Sequence, residues 1–244
     1  MPRCWTFVSH DDGALGAAFT ASLAFRVAEE GRRVLVLDLS PSFPALDLAF
    51  GVAERVVYTL GDVQRLSPET IFLSPEKGKY AENILFVPLR SEEDIVSGAP
   101  LACIEAAQAD VVLICADTAA ASLTRTVSDH TVLLTRATEP SARTASRIAA
   151  RGGYDAFLYT DFVPTKEAVL CETPLVSLAD IVSLPLFGIL PRVDLKNTLR
   201  PQGKDFRTAI TNIAGRVLGE DIPLLRGISV EGMRKRTFFE RISK

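Results

Sequence analysis

Short runs of apolar, often β-branched residues recur along the chain at Trp5 to Ser9, Val34 to Leu39, Ile84 to Leu89, Val111 to Ala116, Thr131 to Thr135, Ala156 to Thr160 and Leu186 to Leu190. Each is short and almost continuously apolar, which predicts a strand covered on both faces rather than one with a wet side. Between most of them the apolar positions follow a helical period, in Ala14 to Glu30, Leu101 to Ala109, Pro140 to Arg151 and Lys204 to Gly219, the last closed by a glycine suited to a helix C-terminus. Strand and helix in alternation predict an α/β fold, a mostly parallel twisted sheet with helices on both faces. Residues 161–184 contain Pro164 and Pro174 and read as a loop with one short helical insert, Ser177 to Ser183. The pattern assigns residues 1–219 to one domain. A linker with Pro223, from Gly219 to Gly227, then leads into the rest of a C-terminal tail, 220–244.

Composition narrows the class. With 244 residues, 48% hydrophobic and 23% charged, most of the chain cannot be disordered. The net charge of -3 gives no global footprint for nucleic acid, so no specific nucleic-acid partner is expected. Charge is unevenly placed, however: residues 226–244 carry +4 and the remainder -7. Cys4, Cys103, Cys115 and Cys171 form no C-x-x-C pair, and His10 and His130 are isolated, so no metal site and only reduced thiols are expected, in a cytoplasmic protein. The start, M-P-R-C-W-T-F-V-S-H-D-D, is neither a signal peptide nor a membrane span.

In open parallel sheets ligands bind beyond the carboxyl ends of the strands, and the first strand-loop-helix is the usual phosphate cradle because helix N-terminal amides point at the anion. Here that element is F-V-S-H-D-D-G-A-L-G-A-A-F-T-A-S-L-A, Phe7 to Ala24. It resembles the MinD/ParA family of P-loop ATPases, whose first strand runs into S-x-K-G-G-V-G-K-T-T. In an ungapped register G-R-R-V-L-V-L-D, Gly31 to Asp38, falls on that family's second strand. Further similarity lies in Leu46-Asp47, in Asp117-Thr118 after the fourth run, in T-R-A-T-E-P-S-A-R-T-A-S-R (Thr135 to Arg147) and in G-I-L-P-R-V-D (Gly188 to Asp194). The resemblance spans about Ser9 to Gly219 and implies the P-loop NTPase fold of MinD/ParA type.

In that register the family's signature lysine falls on Asp11, its P-loop lysine on Gly16 and its magnesium-binding hydroxyl on Ala17. Two carboxylates, Asp11 and Asp12, stand where phosphate would sit, and a like charge ~4 Å away costs about 4 kcal/mol at an effective dielectric of ~20. The water-orienting second acid of the family's D-x-D is Ser40, and a serine cannot replace a carboxylate as base at neutral pH. The strand-end Asn that reads adenine is replaced within Tyr159-Thr160-Asp161. The resemblance therefore implies a degenerate nucleotide site at Gly13, Gly16, Asp38, Asp117, Pro191 and Asp194, with no catalytic residue and no cofactor; ATP and magnesium would bind only at a site less degenerate than these residues read.

The same residues have plainer readings. Gly13 and Gly16 could serve a tight strand-to-helix turn, Asp38 at a strand end could be a helix cap or a solvated residue, and Arg143 and Arg147 could be solvated or pair with Glu139. The functional expectation is a MinD/ParA-like positioning or scaffold protein that has lost ATP hydrolysis; the alternative is a weak but working ATPase. A dinucleotide-binding oxidoreductase is disfavoured, because G-x-G-x-x-G is absent. The expected partner is a protein, such as an intact relative in a heterodimer. In the tail, Phe238, Phe239 and Ile242 share a ~100° arc of a helical wheel beside Arg234, Lys235 and Arg236, which resembles the membrane-targeting helix of MinD. Contact with the inner face of an anionic membrane, or packing of a last helix on the domain, are its two readings.

Overall fold

The computed structural model describes residues 2–95, 98–162, 179–192, 203–224 and 226–227. The seven apolar runs form strands β1 (Arg3–Ser9), β2 (Val34–Leu39), β3 (Ile84–Val87), β4 (Val111–Asp117), β5 (His130–Arg136), β6 (Ala156–Phe162) and β7 (Leu186–Pro191). They lie in one sheet of order β3-β2-β4-β1-β5-β6-β7, and all six pairings are parallel. The helices are α1 (Gly13–Glu29), α2 (Leu46–Phe50), α3 (Pro68–Ile71), α4 (Ala99–Ala107), α5 (Ala121–Thr124), α6 (Glu139–Ala149) and α7 (Lys204–Val217). Residues 179–182 make a further helical turn inside the expected insert, and Ser177 lies outside the described residues.

Two apolar layers sandwich the sheet. On one face α1, α2 and α7 pack over Trp5, Phe7, Val36, Leu113 and Leu134; on the other α4 and α6 cover Val8, Leu37, Ile114, Leu133 and Phe157. Burial on both sides explains why the strands alternate so little in polarity. The central helix α1 buries eleven of its seventeen residues, and its many alanines let it pack close to β1, β4, α2 and α7. Helix ends depart from the periodic pattern where the backbone turns left-handed. Helix α4 stops at Ala107 because Gln108 has φ 48°, and Gly219, at φ 94°, follows the end of α7 as the glycine pattern predicts.

Residues 40–83, which carry little periodicity, cross from one face of the sheet to the other. Helix α2 packs on α1, while Leu60 joins the opposite layer and its N–H donates to Pro88 O just beyond β3 (3.0 Å). No described helix is long and apolar enough to cross a membrane. Asp194, Cys171 and the tail residues Arg234, Lys235, Arg236, Phe238, Phe239 and Ile242 lie outside the described residues.

Candidate functional site

Strand order sets where a ligand crevice falls. From β1 the chain leaves through α1 on one face of the sheet, whereas from the adjacent β5 it leaves through α6 on the other, so the two loops part at the carboxyl ends of these strands. The first loop is short: β1 ends at Ser9 and α1 begins at Gly13.

Asp12 is the N-cap of α1, and its Oδ1 accepts from the Leu15 N–H at 2.9 Å. Its other oxygen, Oδ2, accepts from Arg136 Nη2 at 2.9 Å. Asp11 Oδ2 accepts from the Arg136 backbone N–H at 3.2 Å. One helix-terminal amide and the nearby guanidinium, the groups that would attract a phosphate, are therefore engaged by the chain's own carboxylates. The hydrogen bond to Asp12, with the charges of Asp11, Asp12 and Asp161, holds the Arg136 guanidinium above its ordinary pKa, and it stays a cation. Sequence reasoning singled out both acids but missed Arg136; the signal was its position at the end of an apolar run next to the first loop.

Gly16 sits inside the first turns of α1 against β1. A Cβ there would lie 2.2 Å from Ser9 Oγ, so a side chain enters only if Ser9 turns away. A Cβ on Gly13 would lie 2.7 Å from Phe43 Cβ, and the loop after β2 closes over the start of the helix. Both glycines meet a packing demand, and neither has a left-handed φ. Ala17 is buried in the core of the helix face.

Asp38 is 2% exposed and spends its oxygens on its own loop: Oδ1 accepts from the Ser40 N–H (3.0 Å) and Oδ2 from Leu46 N–H (3.4 Å). Burial is the largest influence on this carboxyl and pushes its pKa up to about 8; the two amides oppose the shift, and the carboxylates of Asp47 and Asp117 add to it. Asp117, in register with Ser9, likewise organises loops, accepting from Ala119 and Ala120 N–H on Oδ1 (2.9 and 3.0 Å) and from Ser42 N–H on Oδ2 (3.0 Å). Both strand-end acids thus hold the backbone of loops at the carboxyl end of the sheet.

Of the described positions named from sequence, Gly13, Gly16, Asp117 and Asp38 lie at the carboxyl ends of the neighbouring strands β1, β4 and β2, where the charge of Asp117 acts on Asp38, whereas Pro191 ends the edge strand β7, three strands from β1 on the other side. Near that edge Asp161 adopts φ 56° within an irregular stretch of the β6–β7 pairing, and its carboxylate meets Arg192 Nε at 3.0 Å. Aspartate is among the few residues that tolerate this conformation. Arg143 pairs with Glu139 on the surface of α6 as the spacing predicts. His10 is packed inward, with its Nε2 4.0 Å from Asp11 Oδ2, and burial lowers its pKa, so it is neutral at pH 7. Cys4, Cys103 and Cys115 are free and buried; burial raises each pKa, to about 11 and about 12 for the first two, which makes them unreactive thiols.

No protein-family profile matches the chain. The septum site-determining protein MinD of Synechocystis sp. is 25% identical over 248 residues, covering 92% of each chain. Among solved structures, the MinD cell division protein of Aquifex aeolicus superposes with a TM-score of 0.74 at 19% identity, over 91% of this chain and 99% of that one. The MinC:MinD complex of the same organism gives the same score, with 98% of that chain covered. MinD of Pyrococcus horikoshii, complexed with Mg-ADP, gives 0.68 at 20% identity, over 89% of this chain and 96% of that one. In fold, and in sequence along nearly its whole length, this chain is MinD-like: it is homologous to MinD and has the sheet of the MinD/ParA-type P-loop ATPases.

Proposed function

We propose that this protein is a MinD-like positioning or scaffold protein of the cell-division or partition type that neither binds nor hydrolyses ATP and acts through a protein partner. One observation carries the reading. Asp12, aided by Asp11, takes the α1 amide and the Arg136 guanidinium that a phosphate would need. Ser9 meanwhile closes on Gly16 where the family's lysine would stand. The residues present do not fit a magnesium triphosphate: two carboxylates face it, and neither a lysine nor a hydroxyl at the expected positions offsets them. No step through nucleotide follows.

The Aquifex MinD is found in complex with MinC and the Pyrococcus MinD with Mg-ADP; of these two associations the first is the one this chain retains in kind. The support is a rim of exposed apolar side chains after the carboxyl end of β2, Phe43, Leu48, Val57 and Tyr58, all between 41% and 68% exposed. A homodimer closing over the first loop would bring Asp11 and Asp12 of both copies together, whereas an intact relative would meet them with a basic surface. The C-terminal tail, with Phe238, Phe239 and Ile242 among basic residues, adds reversible contact with an anionic membrane.

The deciding experiment is calorimetric titration of the purified protein with Mg-ATP, alongside phosphate release. No heat of binding, and release equal to a no-protein control, are expected. Saturable binding, or magnesium-dependent release that disappears in Asp38→Ala, overturns the reading. Liposome co-sedimentation tests the tail: Phe238→Glu with Phe239→Glu abolishes pelleting with anionic lipid, and pelleting that is unchanged or indifferent to lipid charge excludes it as the anchor.

A further inference from the structure

The helical layer that covers Val8, Leu37, Ile114 and Leu133 is electrically divided. On the side of β3 and β2, helices α3 and α4 pack together with the single turns at 60–64 and 92–94. Residues 60–71 and 90–109, which build this half, hold six acids to two bases, and Glu69, Glu92, Glu93 and Glu105 are exposed. On the side of β5 and β6 the balance reverses: residues 121–151 hold five bases to two acids. Arg143 and Arg147 stand one turn apart on the outer surface of α6, and Arg151 follows just past its end. Arg125 donates from Nη2 to Gly152 O at 2.6 Å, so that its charge and that of Arg151 both reach Tyr154. Glu139 offsets one of these cations, at Arg143.

Helix α4 lies over β2 and α6 over β5, three strand spacings or about 14 Å apart. The short helix α5, packed at β4, runs between them. Leu123 on α5 and Leu101 on α4 are the large apolar side chains most open to solvent on this face among the described residues. The face thus has an apolar middle with acids on one side and arginines on the other.

This division selects the partner. An anionic membrane or a nucleic acid presents one sign of charge throughout, so it would attract one half and repel the other. A surface that suits both halves carries the same division in the opposite order. This chain has such a surface in its own face, turned by 180° about an axis through the middle, which is the arrangement of an isologous dimer. The turn exchanges the two ends of the strands as well. Glu92 and Glu93, just past the carboxyl end of β3, then come opposite Arg147 and Arg151, toward the amino end of β6, and the contact is made twice.

We propose that the face built by α4, α5 and α6 pairs with the same face of a second copy of this chain, in a two-fold dimer with Leu101 and Leu123 near its centre. Two leucines make a small apolar core, so charge carries the association and salt weakens it. The first loop, with Asp11 and Asp12, stays outside the contact, and no nucleotide is needed, so the dimer stands whether or not the reading of the ATP site is right.

Sedimentation velocity of the full chain without nucleotide tests it, at about 0.05 M and about 0.5 M salt. The native protein is expected to form a concentration-dependent dimer at low salt and to lose it at high salt. Arg147→Glu with Arg151→Glu, and separately Glu92→Lys with Glu93→Lys, should each remain monomeric at low salt, because each sets like charges against one another. Mixed one to one, the two double variants should pair again, since one contact is then native and the other is restored in reversed sense. A native protein that is monomeric at low salt overturns the proposal, as does a dimer indifferent to salt or to both double substitutions, or a mixture of folded variants that does not associate. Binding of the native monomer to anionic vesicles that Arg147→Glu with Arg151→Glu abolishes gives the basic half to a membrane and overturns it too. The salt dependence of the native protein decides the matter should a variant fail to fold.

Discussion

Asp38 is a carboxyl that the fold keeps protonated at neutral pH, and this has a measurable consequence. Its folded pKa, about 8, stands above the ordinary carboxylate value because burial outweighs its two amide hydrogen bonds. For a group raised in this way, the stabilising contribution is complete below the unfolded pKa near 4 and is lost as the pH climbs through the folded value. Asp38→Asn, which cannot ionise, therefore gains on the native protein between pH 6 and pH 8.5, by on the order of a few kcal/mol. Thermal or urea denaturation of both proteins at the two pH values reads the difference; a gap that does not change with pH contradicts the assignment. Asp12 contributes through its hydrogen bonds to the Leu15 N–H and the Arg136 guanidinium. Asp12→Ala removes the cap of α1 and should cost about 0.5 to 2 kcal/mol in urea unfolding. Arg136→Gln should cost less than about 1 kcal/mol, since the pair is partly solvated.

Helix α1 and the segments that close on it form the element on which the site depends. Its first turn is built from glycines because of what lies opposite, Phe43 over Gly13 and Ser9 Oγ over Gly16. In an isolated helix Gly16→Ala would stabilise by up to about 1 kcal/mol; here it is expected to destabilise by about 1 to 3 kcal/mol, because overpacking against β1 outweighs propensity. The double substitution with Ser9→Ala supplies the check. Removing the hydroxyl should recover most of the loss, and a coupling energy near zero would show that the contact does not govern the turn. Nothing in the one-dimensional pattern exposes this, since Ser9 and Gly16 meet only when the helix folds back along its own strand.

At the scale of the molecule the expectation concerns ligand linkage and assembly. A ligand present at 100 times its dissociation constant stabilises the native state by about 2.7 kcal/mol, and in a chain of this size each kcal/mol moves the midpoint by about 2 to 4 °C. Millimolar Mg-ATP is expected to leave the midpoint unchanged. Sedimentation at several salt concentrations is expected to show no ATP-induced homodimer, because Asp11 and Asp12 would approach their own copies. A tight dimer that forms only with ATP, or a shift of several degrees, reverses both expectations together.

Much of this architecture is written locally. Strand runs, helical spacing and their alternation follow from which faces each element must bury, so the parallel sheet and its two helical layers are legible without coordinates. The strand ends fall within a few residues of the pattern, as at Val34–Leu39, while short elements such as Leu46–Phe50 and Pro68–Ile71 carry too few residues for a period to show. The register with the family's loop likewise exposes Asp11, Asp12, Gly16 and Ser40 as departures, because identity at a position is a property of the chain alone. What these departures do is another matter. That Asp12 caps α1 while meeting Arg136, 124 residues away, that Asp117 reaches the backbone of Ser42, and that burial drives the Asp38 carboxyl towards neutrality are facts of distance and solvent exclusion. Hydrogen bonding and desolvation act over a few ångströms regardless of separation along the chain, so only the folded sheet, by bringing the carboxyl ends of β1, β4 and β5 side by side, decides which charges meet and which are kept from water.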